Sequence, residues 1–263
     1  MAGAAVLGGL AQAARLEWRA ARVVGARQET PRVRTLVLDV PDWPGHRAGQ
    51  HLDVRLIAED GYQAQRSYSI ASAPGESRVE MTVERLSDGE VSPYLTDVIR
   101  QGDLLEVRGP IGGYFVWTPE PARPLALLAG GSGVVPLMSM LRYRASLATS
   151  SAAIPPARLL YSARSAEGRI YAAELDRLAA MDPELRVVYT LTRSQPAAWT
   201  GYRRRLDREM LEAVFWPVAA VPIFYVCGPS PMVEAGANLL VELGHPPADI
   251  RTERFGPTGD PGP

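Results

Sequence analysis

Leu125-Ala126-Leu127-Leu128-Ala129-Gly130-Gly131-Ser132-Gly133-Val134-Val135-Pro136 decides how the second half of this chain folds. The apolar run, bounded by turn signals, reads as a strand buried on both faces, the kind found in parallel sheets. The glycines that follow permit a tight turn and a close approach of backbone to a ligand. From Val134 to Leu147 the apolar residues take helical spacing, with Pro136 tolerated in the first turn, where its missing amide costs little. A strand, a glycine turn and a helix N-terminus aimed back at the glycines make a seat for a pyrophosphate. The spelling is not the usual G-x-G-x-x-G, so the order of elements carries the reading.

Downstream, that pattern continues. Strands are expected at Leu125–Ala129, Ala157–Ser162, Leu185–Leu191, Pro222–Cys227 and Asp249–Glu253, with helices near Val134–Leu147, Tyr171–Ala180, Asp207–Val214 and Pro231–Leu243. Such alternation builds a parallel sheet covered by helices, and ligands bind beyond the carboxyl ends of its strands. Gly131, Ser132, Gly133, Arg164, Arg193 and Cys227 all fall there. Cys227-Gly228-Pro229 is a second strand-to-helix turn.

Upstream, Arg66-Ser67-Tyr68-Ser69-Ile70-Ala71-Ser72 offers a guanidinium suited to a phosphate, an aromatic platform and neighbouring hydroxyls. These are the parts needed to hold a flavin nucleotide. In an extended strand Arg66 and Tyr68 share one face and Ser67 and Ser69 the other, so a flat ligand is served only if the strand bends. Around it, short strands are expected either side of Glu29-Thr30-Pro31 and at His51–Ile57, Gln65–Ile70, Arg78–Arg85 and Leu104–Arg108. One helix, Ser92–Arg100, joins them, with Ser92 as its N-cap and its free amides as a second anion seat. The expectation is a two-domain chain: a flexible leader 1–14, an antiparallel β-barrel over 15–118, a proline-marked linker 119–124 and an α/β parallel-sheet domain over 125–263.

Composition narrows the chemistry. The 263 residues are 46% hydrophobic with net charge −1, which leaves no footprint for nucleic acid; all 28 basic residues are arginine. A lone cysteine, Cys227, rules out a disulfide within the chain and a four-thiolate cluster. Three scattered histidines offer no metal-ligand spacing, and no metal is expected. No apolar stretch reaches the roughly 18 residues a membrane span needs, and a cytoplasmic location is expected. With no acyl-transfer elbow, the chemistry must come from bound cofactors, the protein supplying orientation and electrostatics. Cys227 taken alone reads as a small buried hydrophobe; at a strand end ahead of Gly-Pro it reads as a site residue.

The chain resembles the ferredoxin–NADP reductase superfamily from about Trp18 onward. The resemblance is carried by Ala48-Gly49-Gln50-His51, Arg66-Ser67-Tyr68-Ser69, Gly89-Glu90-Val91-Ser92, Gly109-Pro110-Ile111-Gly112, the glycine turn, Cys227-Gly228-Pro229 and Glu253-Arg254-Phe255, in the family's order. It implies a flavin-dependent oxidoreductase that takes hydride from NAD(P)H onto FAD, within a chain carrying no fused iron–sulfur module. Arg66 would pair the flavin pyrophosphate, with Ser67 beside it. Tyr68 would lie along the ring and Ser69 reach toward its reactive nitrogen. Backbone at Thr82, Val83 and Glu84 would touch the ring edge, and Val91 with Ser92 would close on the phosphates. Gly131, Ser132 and Gly133 would cradle the nicotinamide nucleotide, Cys227, Gly228 and Pro229 would border it, and Ser69, Cys227 and Glu253 would act on the hydride step.

FAD is favoured over FMN because the FMN-holding relatives usually carry the fused module. Plant-type members end on a tyrosine over the flavin; here Phe255 takes that place, followed by an extension. Thr192 with Arg193, and Arg164 on the next strand end, supply the hydroxyl and cations that an adenosine 2′-phosphate needs, so NADPH is favoured over NADH. The expected partner is a separate electron-acceptor protein, a ferredoxin or a molybdenum or haem protein, with Arg85 and Arg108 candidates for steering it, and a monomer is expected. A small acceptor such as a quinone, free flavin or ferric chelate is the alternative, and a non-catalytic flavin-binding subunit a further one.

Overall fold

A computed structural model describes residues 16–147 and 154–255. Its first half is an antiparallel sheet of β1 (Trp18–Thr30), β2 (Val33–Asp39), β3 (His51–Ile57), β4 (Gln63–Ser69), β5 (Val79–Glu84) and β6 (Leu104–Ile111). Hydrogen-bonded neighbours run β4-β3-β6-β1-β2-β5, so β4 and β5 are the two edges. A single antiparallel bridge, Ile70 to Met81, brings these edges together and closes the barrel. Alternation explains the inside: Leu36 and Leu38 of β2, Leu52 and Val54 of β3 and Met81 and Val83 of β5 point inward and are fully buried.

The second half is a parallel sheet in the order β11-β10-β7-β8-β9. Its strands are β7 (Leu125–Gly130), β8 (Ala157–Ala163), β9 (Leu185–Leu191), β10 (Ile223–Pro229) and β11 (Ile250–Phe255). Helices α1 (Val134–Ser146) and α2 (Ala172–Met181) cover one face, α3 (Arg208–Val214) and α4 (Ser230–Glu242) the other. The central strand β7 is buried along its whole length, as its unbroken apolar run requires.

Helix α1 departs from the usual half-wetted pattern: Val134 to Leu141 and Arg144 are all buried. It lies between the two sheets. One apolar cluster joins Leu127, Leu137 and Tyr161 of the parallel-sheet half to Val33, Ala48, Ala71 and Phe115 of the barrel half. The stretch just ahead of the linker is fastened too, through Trp117 N–H to the Ala48 carbonyl at 3.0 Å and Tyr225 Oη to the Val116 carbonyl at 2.7 Å.

The expected helix Ser92–Arg100 forms in shortened shape: helical backbone runs from Ser92 to Val98, widening to a π-turn over Tyr94–Val98, and it has no side-chain cap. The Ser92 hydroxyl is instead taken by the Leu86 amide at 3.0 Å, a bond back across the loop rather than forward into a helix.

Candidate functional site

Strands β7 and β10 are neighbours whose chains then leave in opposite directions, to β8 and to β11, so the crevice beyond their carboxyl ends is the switch point of the sheet. The turns leaving them are packed backbone to backbone. A Cβ placed on Gly133 would overlap the Cys227 carbonyl, and one on Gly228, whose φ is +156°, would stand 3.0 Å from Gly130 Cα. Helix α1 begins here without a side-chain cap, behind a tight turn over Gly131–Gly133 in which the Val134 amide bonds the Gly131 and Ser132 carbonyls, and Gly131 and Ser132 are part-exposed at the crevice. Pro229 opens α4 in the same way.

Cys227 stands level with Ala129 on one side and Glu253 on the other. Burial, then the neighbouring Glu253 carboxylate, pushes its thiol well above the usual range, so it is a neutral thiol. Burial alone lifts the Glu253 carboxyl to about 7. Glu253 lines a cleft of about 200 Å³ with His51, Gly112, Tyr114 and Thr252, at the junction of the two sheets. Burial lowers the His51 pKa.

The barrel contributes β4. Ser69 pairs with His51, after which Ile70 N–H bonds the Gln50 carbonyl at 3.0 Å and Ala71 N–H the Glu80 carbonyl at 2.7 Å. The chain thus swings from β3 to β5 immediately after Ser69, while Arg66 to Ser69 keeps an unbroken register with β3. Tyr68 packs on the barrel core, and burial pushes its phenol up to about 12. The exposed Arg66 guanidinium donates to the Gln65 carbonyl at 2.7 Å and to Glu90 at 3.3 Å; Tyr62 donates to the same carboxylate at 3.0 Å. Glu90 is a residue the sequence reading passed over, although it lies inside a quoted motif.

Some expected residues are otherwise employed. Ser67 donates to the buried Asp53 at 2.7 Å, so its hydroxyl is committed on the opposite face from Arg66 and Tyr68. Asp53 also takes Arg108 at 2.7 Å, and Arg85 is held by Asp97 at 2.7 Å. Both arginines proposed to steer a partner are therefore neutralised by their own strand or helical neighbours. The Thr82 hydroxyl is engaged by Tyr171 and, at 2.7 Å, by Thr35, and Val83 is fully buried, with Glu84 part-exposed at the end of β5. Val91 and Ser92 are buried, with the Val91 side chain in the barrel core. Phe255 packs against the shared core; the extension after it lies outside the described residues.

On the other side of the glycine turn, Arg193 N–H donates to the Arg164 carbonyl at 3.0 Å, setting the ends of β8 and β9 together. Both side chains are exposed, and neither makes an ion pair among the described residues. Thr192 donates to the Ala163 carbonyl at 3.3 Å. Tyr202, eleven positions along from Leu191, returns to the same place through Leu191 N–H to the Tyr202 carbonyl at 3.0 Å.

A flavin fits this set on one count in particular. Among the described residues, three buried side-chain polar atoms lack a partner, and two of them are Ser69 Oγ and Glu253 Oε2, one from each sheet. Buried hydroxyl and carboxylate oxygens are costly to leave unpaired, so each is a place where a polar ligand atom is wanted. No three His, Cys, Asp or Glu side chains gather to hold a metal among the described residues, and no helix there is long and apolar enough to cross a membrane.

Comparison with known proteins agrees with this geometry. Residues 21–116 match the oxidoreductase FAD-binding domain family and residues 127–237 the oxidoreductase NAD-binding domain family. Ferredoxin–NADP reductase B of Sorangium cellulosum is 36% identical over 246 residues, covering 89% of this chain and 96% of its own. The glycine betaine monooxygenase reductase subunit of Pseudomonas aeruginosa is 33% identical over 241 residues, 90% of this chain; the chain spans 64% of that protein's length. The FAD/NAD-binding domain of nitric oxide dioxygenase from Vibrio cholerae superposes with TM-score 0.79 at 26% identity, covering 91% and 99% of the two chains. With a matched flavin half, a matched nucleotide half and a relative aligned over nearly its whole length, the chain belongs to the ferredoxin–NADP reductase superfamily of FAD- and NAD-binding oxidoreductases.

Proposed function

We propose that the chain is an NAD(P)H-dependent flavoprotein reductase that delivers electrons to a separate redox protein. The observation that carries this reading is the pair of partnerless buried oxygens, Ser69 Oγ and Glu253 Oε2, contributed by different sheets at the mouth of a nucleotide switch point. Bound FAD supplies the acceptor for a hydride, two electrons and one proton taken together from a dihydronicotinamide, and can release the electrons singly. The protein's share is placement. Tyr68 offers the platform, Ser69 a hydroxyl for the ring, and backbone of Thr82, Val83 and Glu84 the ring edge. Gly131, Ser132 and Gly133 seat the nucleotide phosphates, while Cys227, followed by Gly228 and Pro229, and Glu253 border the nicotinamide, with Phe255 against the flavin. Val91 and Ser92, being buried, would serve the flavin phosphates through backbone alone.

Arg66 is the flavin's pyrophosphate ligand in this reading, and Glu90 holds the guanidinium until a phosphate displaces it. Arg66→Ala removes a charge-assisted contact worth roughly 1.5–3 kcal/mol, so FAD should bind about 10-fold to 150-fold more weakly. Titration of apoprotein with FAD reads this directly; Glu90→Gln in the same assay should bind no worse than the parent. Unchanged affinity in Arg66→Ala would remove the arginine from the site.

The nucleotide favoured is NADPH. Arg193 and Arg164 lie side by side, exposed and without a carboxylate, where a 2′-phosphate would need cations, and Thr192 and Tyr202 border them. Arg193→Ala should raise the KM for NADPH about 10-fold to 100-fold and barely alter that for NADH, the share of one charged hydrogen bond. Equal losses with both nucleotides would move the phosphate elsewhere.

The partner reading rests on relatives such as the Pseudomonas protein, whose name is that of a reductase subunit. Anaerobic mixing with NADPH should bleach the flavin, and an added iron–sulfur protein should restore its colour in successive one-electron steps. Reoxidation by quinones alone, with none by any redox protein tried, would favour the small-acceptor alternative; no bleaching at all would favour a non-catalytic subunit.

A further inference from the structure

The barrel's closure is its weakest line. Edges β4 and β5 meet through the Ile70–Met81 bridge, the Ala71 N–H to Glu80 carbonyl bond at 2.7 Å and the Glu80 N–H to Ser72 Oγ bond at 3.1 Å. This seam begins one residue after Ser69. Side chains from the nucleotide-binding half lie across it. Arg142 of α1 donates from one Nη to the Ala71 carbonyl and to the Glu80 carboxylate, both at 2.9 Å, so a single nitrogen spans both edges. Its other nitrogens make a two-pronged contact with Glu174 of α2 at 2.9 and 2.7 Å, which fixes the guanidinium's orientation. One turn earlier on α1, Ser139 donates to the Ser72 carbonyl at 2.7 Å. Tyr171, whose ring lies 5.2 Å beneath the Arg142 guanidinium, reaches Thr82 of β5.

Helix α1 therefore has two ends with two duties. Its first residues leave the glycine turn; its third turn, about 12 Å further along at 1.5 Å per residue, grips the strand that carries Ser69. We propose that Arg142, supported by Ser139, is a positioning residue that holds the β4–β5 seam, and with it Ser69, in register with the nucleotide-binding helix. Without Arg142 no side chain spans both edges of the seam, though Ser139, Tyr171 and His46 still touch one edge or the other, and the distance between the Ser69 hydroxyl and the glycine turn is less tightly set. The inference rests on the reductase reading for its kinetic consequence and on the fold alone for its structural one.

The test uses the full chain with Arg142→Gln, Arg142→Lys and Ser139→Ala. In apoprotein, hydrogen exchange at the Ala71 and Glu80 amides should quicken about 10-fold or more in Arg142→Gln, while the amides of β7 keep the parent rate. In holoprotein, FAD affinity should stay within about threefold of the parent while the single-turnover rate of flavin reduction falls about 10-fold, since small misplacements cost rate before they cost binding. Arg142→Lys should recover part of the rate. Ser139→Ala should shift seam exchange in the same direction by a smaller factor, and it serves as the readout if Arg142→Gln does not fold. Parent-like seam exchange in both variants, or a fall in reduction matched by an equal loss of flavin, would overturn the proposal. A parent protein whose flavin NADPH does not bleach would sink the reductase reading instead, while leaving the exchange measurement to decide the strap.

Discussion

Gly133→Ala is expected to end nucleotide-driven flavin reduction while leaving the flavin bound. The added methyl would overlap the Cys227 carbonyl and crowd the Gly228 amide, and these are backbone atoms that cannot swing aside as a side chain would. Either α1 lifts away from the β10 turn or that turn moves, at a cost of about 1–3 kcal/mol for an overpacked site. Both movements alter the phosphate seat and the position of Cys227 together, and a displacement of about 1 Å is enough to cost some 100-fold in rate. The barrel strands that bear Arg66 and Tyr68 are untouched, so FAD content should match the parent. Stopped-flow bleaching by NADPH, beside a melting curve and a flavin count, separates these effects. Bleaching at the parent rate would show that the glycine turn does not hold the nucleotide.

Glu253→Gln should lower the rate of flavin reduction about 100-fold and remove its dependence on pH near neutrality. As hydride leaves a dihydronicotinamide the ring becomes cationic, and an ionised carboxylate in a dry cleft favours that charge. Because burial lifts the Glu253 pKa to about 7, the parent's rate should rise as pH passes through that value. Stability should move the other way. A carboxyl whose folded pKa exceeds its unfolded value binds more protons when folded, so stability is greatest below the unfolded value of 4.5 and falls as pH climbs to about 7. The loss is on the order of a few kcal/mol, and Gln at this position should flatten that slope. A parent rate that is level from pH 6 to 8, or a variant that keeps the bend, would assign the titration to another group.

Much of this was legible from residue order because short-range rules govern it. The β3 strand His51–Ile57 falls where its alternation places it, and Leu125 to Pro136 becomes strand, glycine turn and helix. The misses are bonds that no local residue pattern announces. Ser92 looks like a helix cap until the Leu86 amide folds back onto it. Ser67 and Arg108 look free until β3 brings Asp53 between them, 14 and 55 residues away respectively. Arg142 gave a weaker signal, a charged residue three positions after Ser139 within an apolar helix, and only the juxtaposition of two sheets shows what both bind. No spacing rule in the sequence places Tyr202, and only the parallel bridge from Thr190 to Tyr202 brings it back beside the end of β9.

Helix α1, buried on every side from Val134 to Leu141, makes the two halves poor candidates for exchange between family members. A chimera joined in the proline-rich stretch after Trp117 would bring a foreign barrel against Leu137, Met140 and Arg142, surfaces shaped to Ala48, Ala71 and Glu80. An engineer recombining this scaffold should therefore cut elsewhere, carrying α1 with the barrel it was fitted to.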